Sequence, residues 1–173
     1  MEEKLVKKAI KGNFNAYSTL VNNLKEDGYK IAYTILRNEQ DSMDAYLQAV
    51  EKGLNNIHNL REANYFKAWF LRIVINEAKN IITKNSKIKY LEEVKEKEVK
   101  YVENNSNKID LEIALNNIEP QVREMIKLKY YLGYKLEEIA EILNLPVGTV
   151  KGKIYSALKL MRKELSDSHE NWW

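Results

Sequence analysis

Residues 135–165, KLEEIAEILNLPVGTVKGKIYSALKLMRKEL, decide the fold. Two apolar periodicities of helical step flank a connection of three residues, Asn144, Leu145 and Pro146, which predicts two helices meeting at a sharp turn. In the first helix Leu136, Ile139, Ala140 and Leu143 can face inward, and small Ala140 lets a second helix cross closely. In the second, Val150, Ile154, Ala157, Met161 and Leu165 fall on one side at 100° per residue. Pro146 suits the first turn, where its missing N–H is no loss. The opposite side carries Thr149, Gly152, Tyr155, Ser156 and Lys159, flanked by Lys151 and Lys153, with no acidic residue between Pro146 and Lys163. Phosphates want cations and base edges want short polar side chains, so such a face suits the major groove of duplex DNA. Gly152 lies nearly opposite the apolar stripe, where packing does not explain its helix penalty of about 1 kcal/mol relative to Ala. Close approach of the backbone to DNA is our reading of it. A three-helix packing unit with a solvated lysine face is the alternative.

Composition agrees with helices throughout. The 173 residues are 45% apolar and 31% charged, the balance of a chain that folds in water, with only six Gly and two Pro. That length holds one ordinary domain or two small ones. No cysteine is present, which excludes disulfides, thiolate zinc sites and thiol nucleophiles. The net charge of +3 is too small for a chain that simply coats nucleic acid, so position matters more than total. The one acidic excess lies in residues 91–110, with four Lys/Arg against six Asp/Glu. No run approaches the roughly 20 apolar residues of a membrane span, and MEEKLVKKAIKGN lacks a secretory apolar stretch, so a cytoplasmic protein without membrane insertion is expected.

Moving toward the amino terminus, residues 84–110 have few aromatic or branched side chains and end in an Asn/Ser cluster, the composition of a linker. Glu93 with Lys97 and Glu96 with Lys100 have ion-pair spacing, so a short amphipathic helix is expected over residues 90–102. Residues 14–36 repeat apolar positions at helical spacing, with Gly28 expected as a turn or break. Residues 41–57, DSMDAYLQAVEKGLNNI, place Met43, Leu47, Val50, Leu54 and Ile57 on one stripe, expected to be buried, with Asp41 as N-cap. A third helix is predicted over about 63–83. The whole reads as all-α: two small helical domains, residues 1–88 and 111–173, joined by a linker over 89–110, the carboxyl-terminal one a helix-turn-helix.

Residues 59–84, NLREANYFKAWFLRIVINEAKNIITK, hold a helix that is apolar over much of its circumference between Trp69 and Ile75 and must be mostly buried. One stripe differs, carrying Tyr65, Trp69, Arg72, Asn76, Lys79 and Thr83. Interleaved aromatic and basic groups suit unpaired DNA, because rings stack on bases while cations follow the backbone. Core packing of Trp69 and a structural role for Arg72 explain the same residues equally well.

Enzyme chemistry has little support. His58 and His169 lack neighbours at metal-ligand spacing, and no phosphate-cradling glycine loop occurs. Glu137, Glu138 and Glu141 are explained more simply by solvation, capping and ion pairing than by acid/base work. No cofactor and no metal is expected.

Residues 118–165, IEPQVREMIKLKYYLGYKLEEIAEILNLPVGTVKGKIYSALKLMRKEL, resemble region 4 of the extracytoplasmic-function sigma factors of the sigma-70 family. This resemblance implies binding of the -35 element of a promoter through Thr149, Lys151, Gly152, Lys153, Tyr155, Ser156 and Lys159. Arg123, which matches the family's arginine ahead of the motif, would hold a DNA phosphate; a helix-surface ion pair is its alternative. The family usually has Ser where Gly152 stands and Arg where Lys153 stands.

Residues 65–81, YFKAWFLRIVINEAKNI, are similar to the family's regions 2.3 and 2.4, next to the melted -10 element. The likeness implies contacts to unpaired DNA by Tyr65, Trp69, Arg72, Asn76 and Lys79, and a loop at about residues 59–64, with Arg61, Glu62 and Asn64, that captures a flipped base. The preceding helix resembles region 2.2, so Asp41, Asp44, Gln48 and Glu51 would meet the β′ clamp helices of core RNA polymerase; ordinary solvation is the alternative. Implied partners are that polymerase, also through its β flap, promoter DNA, and an anti-sigma factor. The acidic linker would enter the polymerase RNA path. Two other readings keep the same motif: a helix-turn-helix regulator with a sensing or dimerising amino-terminal domain, and an adaptor that binds polymerase without melting DNA. The stripe through Trp69, Arg72 and Asn76 separates them, since neither needs single-strand contacts.

Overall fold

A computed structural model of the chain describes residues 2–93 and 118–170. Its elements are α1 (Glu2–Ile10), α2 (Phe14–Asn23), α3 (Lys25–Leu36), α4 (Glu39–Asn56), 3-10 turns at Ile57–Asn59 and Ala63–Tyr65, α5 (Phe66–Glu93), α6 (Pro120–Ile126), α7 (Leu136–Leu143) and α8 (Val147–Glu170). Among the described residues there is no strand. The chain forms two compact units, the first over residues 1–96 and the second over most of residues 97–173. The amphipathic helix expected over residues 90–102 largely lies outside the described residues, as do its two ion pairs, the Trp172–Trp173 tail and the side chain of Leu165.

In the first unit two tyrosines tie α2 to α4 in opposite directions. Tyr17 of α2 donates its hydroxyl to the Val50 carbonyl at 2.7 Å, and Tyr46 of α4 donates to the Val21 carbonyl at 2.7 Å. The Val50 carbonyl lies inside α4 and the Val21 carbonyl in the last turn of α2, where it already accepts the Leu24 N–H at 3.0 Å, so the tyrosine adds a second hydrogen bond through a spare lone pair. Both tyrosines are buried, and a buried hydroxyl without a partner would cost about 1–3 kcal/mol. Each sits on a glycine. A Cβ at Gly53 would run into the Tyr17 hydroxyl, and one at Gly28 would lie 2.9 Å from Cδ2 of Tyr46. Gly28 is therefore inside α3 and makes room, whereas the break expected there falls at Leu24.

Helix α4 is turned differently from the expected arrangement. Its buried residues are Ser42, Ala45, Tyr46, Ala49 and Gly53, while Leu47 is 54% and Leu54 37% exposed and Met43 and Val50 are half-buried. Of the expected stripe only Ile57, at the start of the 3-10 turn, is buried. Large rings supplied by other elements explain this: Phe70 and Phe66 of α5 stack at 6.1 Å and meet Tyr46 and Tyr17 edge-on at 6.0 and 6.5 Å. Small side chains on α4 leave them the space. Asn38, not Asp41, caps α4, its Oδ1 accepting the Asp41 N–H at 2.9 Å. Asp41 sits inside the first turn, where its charge favours the helix dipole. Helix α5 buries Phe70, Leu71, Val74, Ile75 and Ala78, as its apolar run requires, and starts at Phe66 after a 3-10 turn over the residues expected to open it.

In the second unit α6, α7 and α8 enclose Met125, Leu128, Ile139, Val150 and Ile154. Between α6 and α7 the chain widens into a π-type turn over Lys127–Tyr131, closed by the Leu132 N–H on the Lys127 carbonyl at 3.2 Å.

Gly53→Ala should lower stability by about 1–3 kcal/mol, the overpacking cost outweighing the roughly 1 kcal/mol of added helix propensity. Urea midpoints would show most of that loss absent when the change is made in a Tyr17→Phe background, which removes the clashing hydroxyl. Burial raises the Tyr17 and Tyr46 hydroxyls above their ordinary pKa of 10.0. Each binds its proton more tightly folded than unfolded, so their contribution is complete below about pH 10 and is lost as pH rises toward the folded values. Thermal midpoints measured from pH 9 to 11.5 should fall above about pH 10, as stability drops by up to ~1.4 kcal/mol per pH unit for each group, and less steeply in Tyr17→Phe.

Candidate nucleic-acid interface

The turn between α7 and α8 is built from local chemistry. Glu138 accepts the Lys135 N–H at 2.9 Å, half of a capping box that opens α7 and gives this carboxylate a structural role. Asn144 adopts the left-handed conformation with φ 56°, and the Leu145 N–H returns to the Ala140 carbonyl at 2.9 Å. Pro146 stands one position earlier than expected. It precedes α8, and its carbonyl accepts the Thr149 and Val150 N–H groups at 2.9 and 3.1 Å, so it is the N-cap and not a first-turn residue. Ile139 and Ala140 of α7 are buried as expected, but Ile142 is buried as well, while Leu136 and Leu143 are half-buried.

On α8 the inward side is the one expected: Val150, Ile154, Ala157 and Met161 are buried. Thr149, Lys151, Gly152, Tyr155, Ser156 and Lys159 are all exposed. A Cβ at Gly152 would meet nothing within 4 Å, so no contact inside the protein demands glycine there. Lys153 is half-buried and pairs with Glu119 at 3.0 Å, which holds it at the edge of that face. Arg123 is half-buried and donates to the Ile118 carbonyl at 3.2 Å, an intramolecular bond that orients its guanidinium.

In the first unit the segment before α5 is two short turns. The Leu60 N–H closes on Ile57 at 3.0 Å and the Tyr65 N–H on Glu62 at 3.2 Å. Arg61, Glu62, Asn64 and Tyr65 are exposed, with Phe66 as the buried anchor behind them. Trp69 is half-buried, its ring tilted against Phe66 at 5.9 Å. Core packing and an accessible face thus coexist in one side chain. Arg72 is half-buried, and Asn76 and Lys79 are exposed along the same stripe.

Three comparisons bear on this arrangement. The family model "Sigma-70 region 2" matches residues 20–88 and "Sigma-70, region 4" matches residues 109–161. RNA polymerase sigma factor SigV of Bacillus subtilis (strain 168) is 32% identical over 149 residues, covering 86% of this chain and 90% of the relative. The chain belongs to the extracytoplasmic-function sigma factors. The ECF RNA polymerase sigma factor SigW of the same organism is 30% identical, covering 96% and 98% of the two chains. The fold is that of CnrH, solved in complex with the cytosolic domain of CnrY, with a TM-score of 0.66 at 21% identity over 96% of this chain and 97% of that one. This protein is accordingly an alternative sigma factor, a transcription initiation factor.

Two features of the sigma factor escaped sequence reasoning. Glu77, buried on α5, holds Lys52 of α4 at 2.7 Å through Oε1 and Asn80 at 3.3 Å through Oε2, locking the two helices together. A lone acid inside an apolar helix was the only signal for it. The second is the exposure of Leu47 and Leu54 on the outer face of α4, beside Asp44, Gln48 and Glu51, which are exposed as expected. Asp41 differs from the other three, being half-buried and accepting from Asn85 of α5 at 3.2 Å.

This placement makes opposite demands on neighbouring residues. Leu47→Asp should leave the urea midpoint within the roughly 0.5 kcal/mol typical of surface changes, whereas Ala49→Asp should cost more than about 3 kcal/mol by burying an unpaired charge.

Proposed function

We propose that the sigma factor divides promoter recognition between its two units. The observation that carries this reading is the outer face of α8, open to solvent from Thr149 to Lys159 and free of acidic side chains, on a helix whose other side is the core. Docked in the major groove of a -35 element, Lys151, Lys153 and Lys159 would neutralise phosphates while Thr149, Tyr155 and Ser156 reach base edges. Gly152 would let the backbone come close. Arg123, already oriented on Ile118, would hold a phosphate at the rim of the same site.

The first unit would take the -10 element as parted strands. Extruding a base costs a few kcal/mol of stacking. A ring that stacks on a base returns about 1–3 kcal/mol, so Tyr65 and the exposed part of Trp69 can offset much of that cost. Arg72, Asn76 and Lys79 continue the stripe for the backbone, and Arg61 and Asn64 line the loop that would receive the base. The α4 face of Asp44, Gln48 and Glu51 has the mixed character of a protein interface, because exposed Leu47 and Leu54 lie among the charges. The β′ clamp helices of core polymerase are its proposed partner, with Asp41 at its edge, and the β flap that of the second unit. An anti-sigma factor is a further proposed partner; CnrH was solved with the cytosolic domain of CnrY. Residues 1–88 and 111–173 would do these two jobs, and 89–110 would span the distance and enter the RNA path. The protein itself would catalyse nothing and would act in the cytoplasm; no helix among the described residues is long and apolar enough to cross a membrane.

Transcription by purified core polymerase with and without the sigma factor, on a library of promoter fragments, tests this reading. Trp69→Ala should leave duplex binding through α8 intact and abolish strand opening, while Trp69→Phe, which keeps a ring against Phe66, should retain part of it. Equal loss of both activities in Trp69→Ala would reduce Trp69 to a packing residue.

A further inference from the structure

Helix α1 has one buried face and a specific place. Val6 and Ala9 are each 1% exposed, whereas Lys4, Lys7 and Lys8 are not buried. Beyond its chain neighbour α2, the elements α1 packs against most are the two 3-10 turns, Ile57–Asn59 and Ala63–Tyr65. These turns are the two ends of the loop over residues 59–64.

That loop has little internal means of holding its shape. The backbone hydrogen bonds from Leu60 to Ile57 and from Tyr65 to Glu62 each close one turn and do not join the two. Between the buried anchors Ile57 and Phe66, Arg61, Glu62, Asn64 and Tyr65 are exposed and Leu60 and Ala63 are half-buried. A pocket that discriminates bases must hold its donors and acceptors to within a fraction of an ångström. Helix α4 packs against the first turn and α5 against the second, while α1 packs against both and is placed to fix their spacing.

We propose that α1 is a positioning element for base selection: through Val6 and Ala9 it fixes the spacing of the two 3-10 turns, and so which base the loop accepts from the unpaired strand. This deepens the function proposed for the first unit and rests on its reading of residues 59–64 as the base-capture loop. The lysines on the outer side of α1 take no part in it.

The test uses holoenzyme, core polymerase with the full chain, on four promoter fragments that differ only in the base offered to the loop. The readout is the ratio of open complexes on the preferred base to those on the others. In the wild type this ratio should lie in the roughly five- to hundredfold range that a single wrong base pair ordinarily costs. Val6→Ala and the second variant Ala9→Gly should compress the ratio toward one while polymerase affinity and duplex binding to the -35 element stay unchanged. Near-isosteric Val6→Thr should keep more of the ratio than Val6→Ala, and Lys4→Gln with Lys8→Gln should leave it intact. A uniform fall on all four fragments, with the ratio preserved, would show that α1 merely stabilises the unit and would overturn the proposal. Asn64→Ala separates the two levels: if it too leaves the ratio untouched, the loop reading has failed and the role of α1 falls with it.

Discussion

The reciprocal contact between α2 and α4 is the constraint on which the first unit depends. Each tyrosine hydroxyl spans to a backbone carbonyl of the other helix, and the missing Cβ atoms of Gly53 on α4 and Gly28 on α3 leave room for the Tyr17 and Tyr46 side chains. Once Tyr17 and Tyr46 point inward, α4 has no freedom to bury its leucines as well. Its inner face is taken up by small residues, and Phe66 and Phe70 of α5 fill the space they leave. The faces of α4 and α5 proposed to be functional are the sides that this packing leaves over.

The consequence is a mixed outer surface where a simple amphipathic helix would have shown only charge. Leu47 and Leu54 among Asp44, Gln48 and Glu51 form a face that is costly to leave in water by itself and well suited to a protein partner. On α5 the same packing leaves Trp69 half in and half out. Phe66 packs against the ring at 5.9 Å, so the base proposed to stack on its open side would meet a plane already oriented. Preorganisation of this kind lowers the entropy lost on binding. The Glu77–Lys52 pair works in the same direction, holding α4 and α5 in register across the unit.

The second unit is governed by its turn. Asn144 in the left-handed conformation and the Pro146 carbonyl as cap leave α8 free to present one uninterrupted side outward from its first turn. The acid nearest that side, Glu119, is supplied by the residue before α6 and takes up Lys153. A sigma factor needs affinity for DNA that can be given up when transcription proceeds. With a net charge of only +3, the protein would owe such affinity to local acid-free patches like the outer side of α8 and not to its overall charge.

The amino-acid sequence by itself determined the all-α class, the helix-turn-helix, the inward set on α8 and its exposed basic side. These come from 3.6-residue periodicity, turn chemistry and the absence of acids over a defined stretch, all of which are local. It also determined that the segment after Trp69 would be buried, because a helix apolar over most of its circumference has nowhere else to go. Only the tertiary structure decided which side of α4 faces the core, that Gly28 is a contact and not a break, that Asn38 is the cap, and that Glu77 is a lock. The reason is the same in each case. Hydrophobicity along one helix says how much surface is to be buried, but which residues do the burying depends on the size of the rings that other helices bring to the same space.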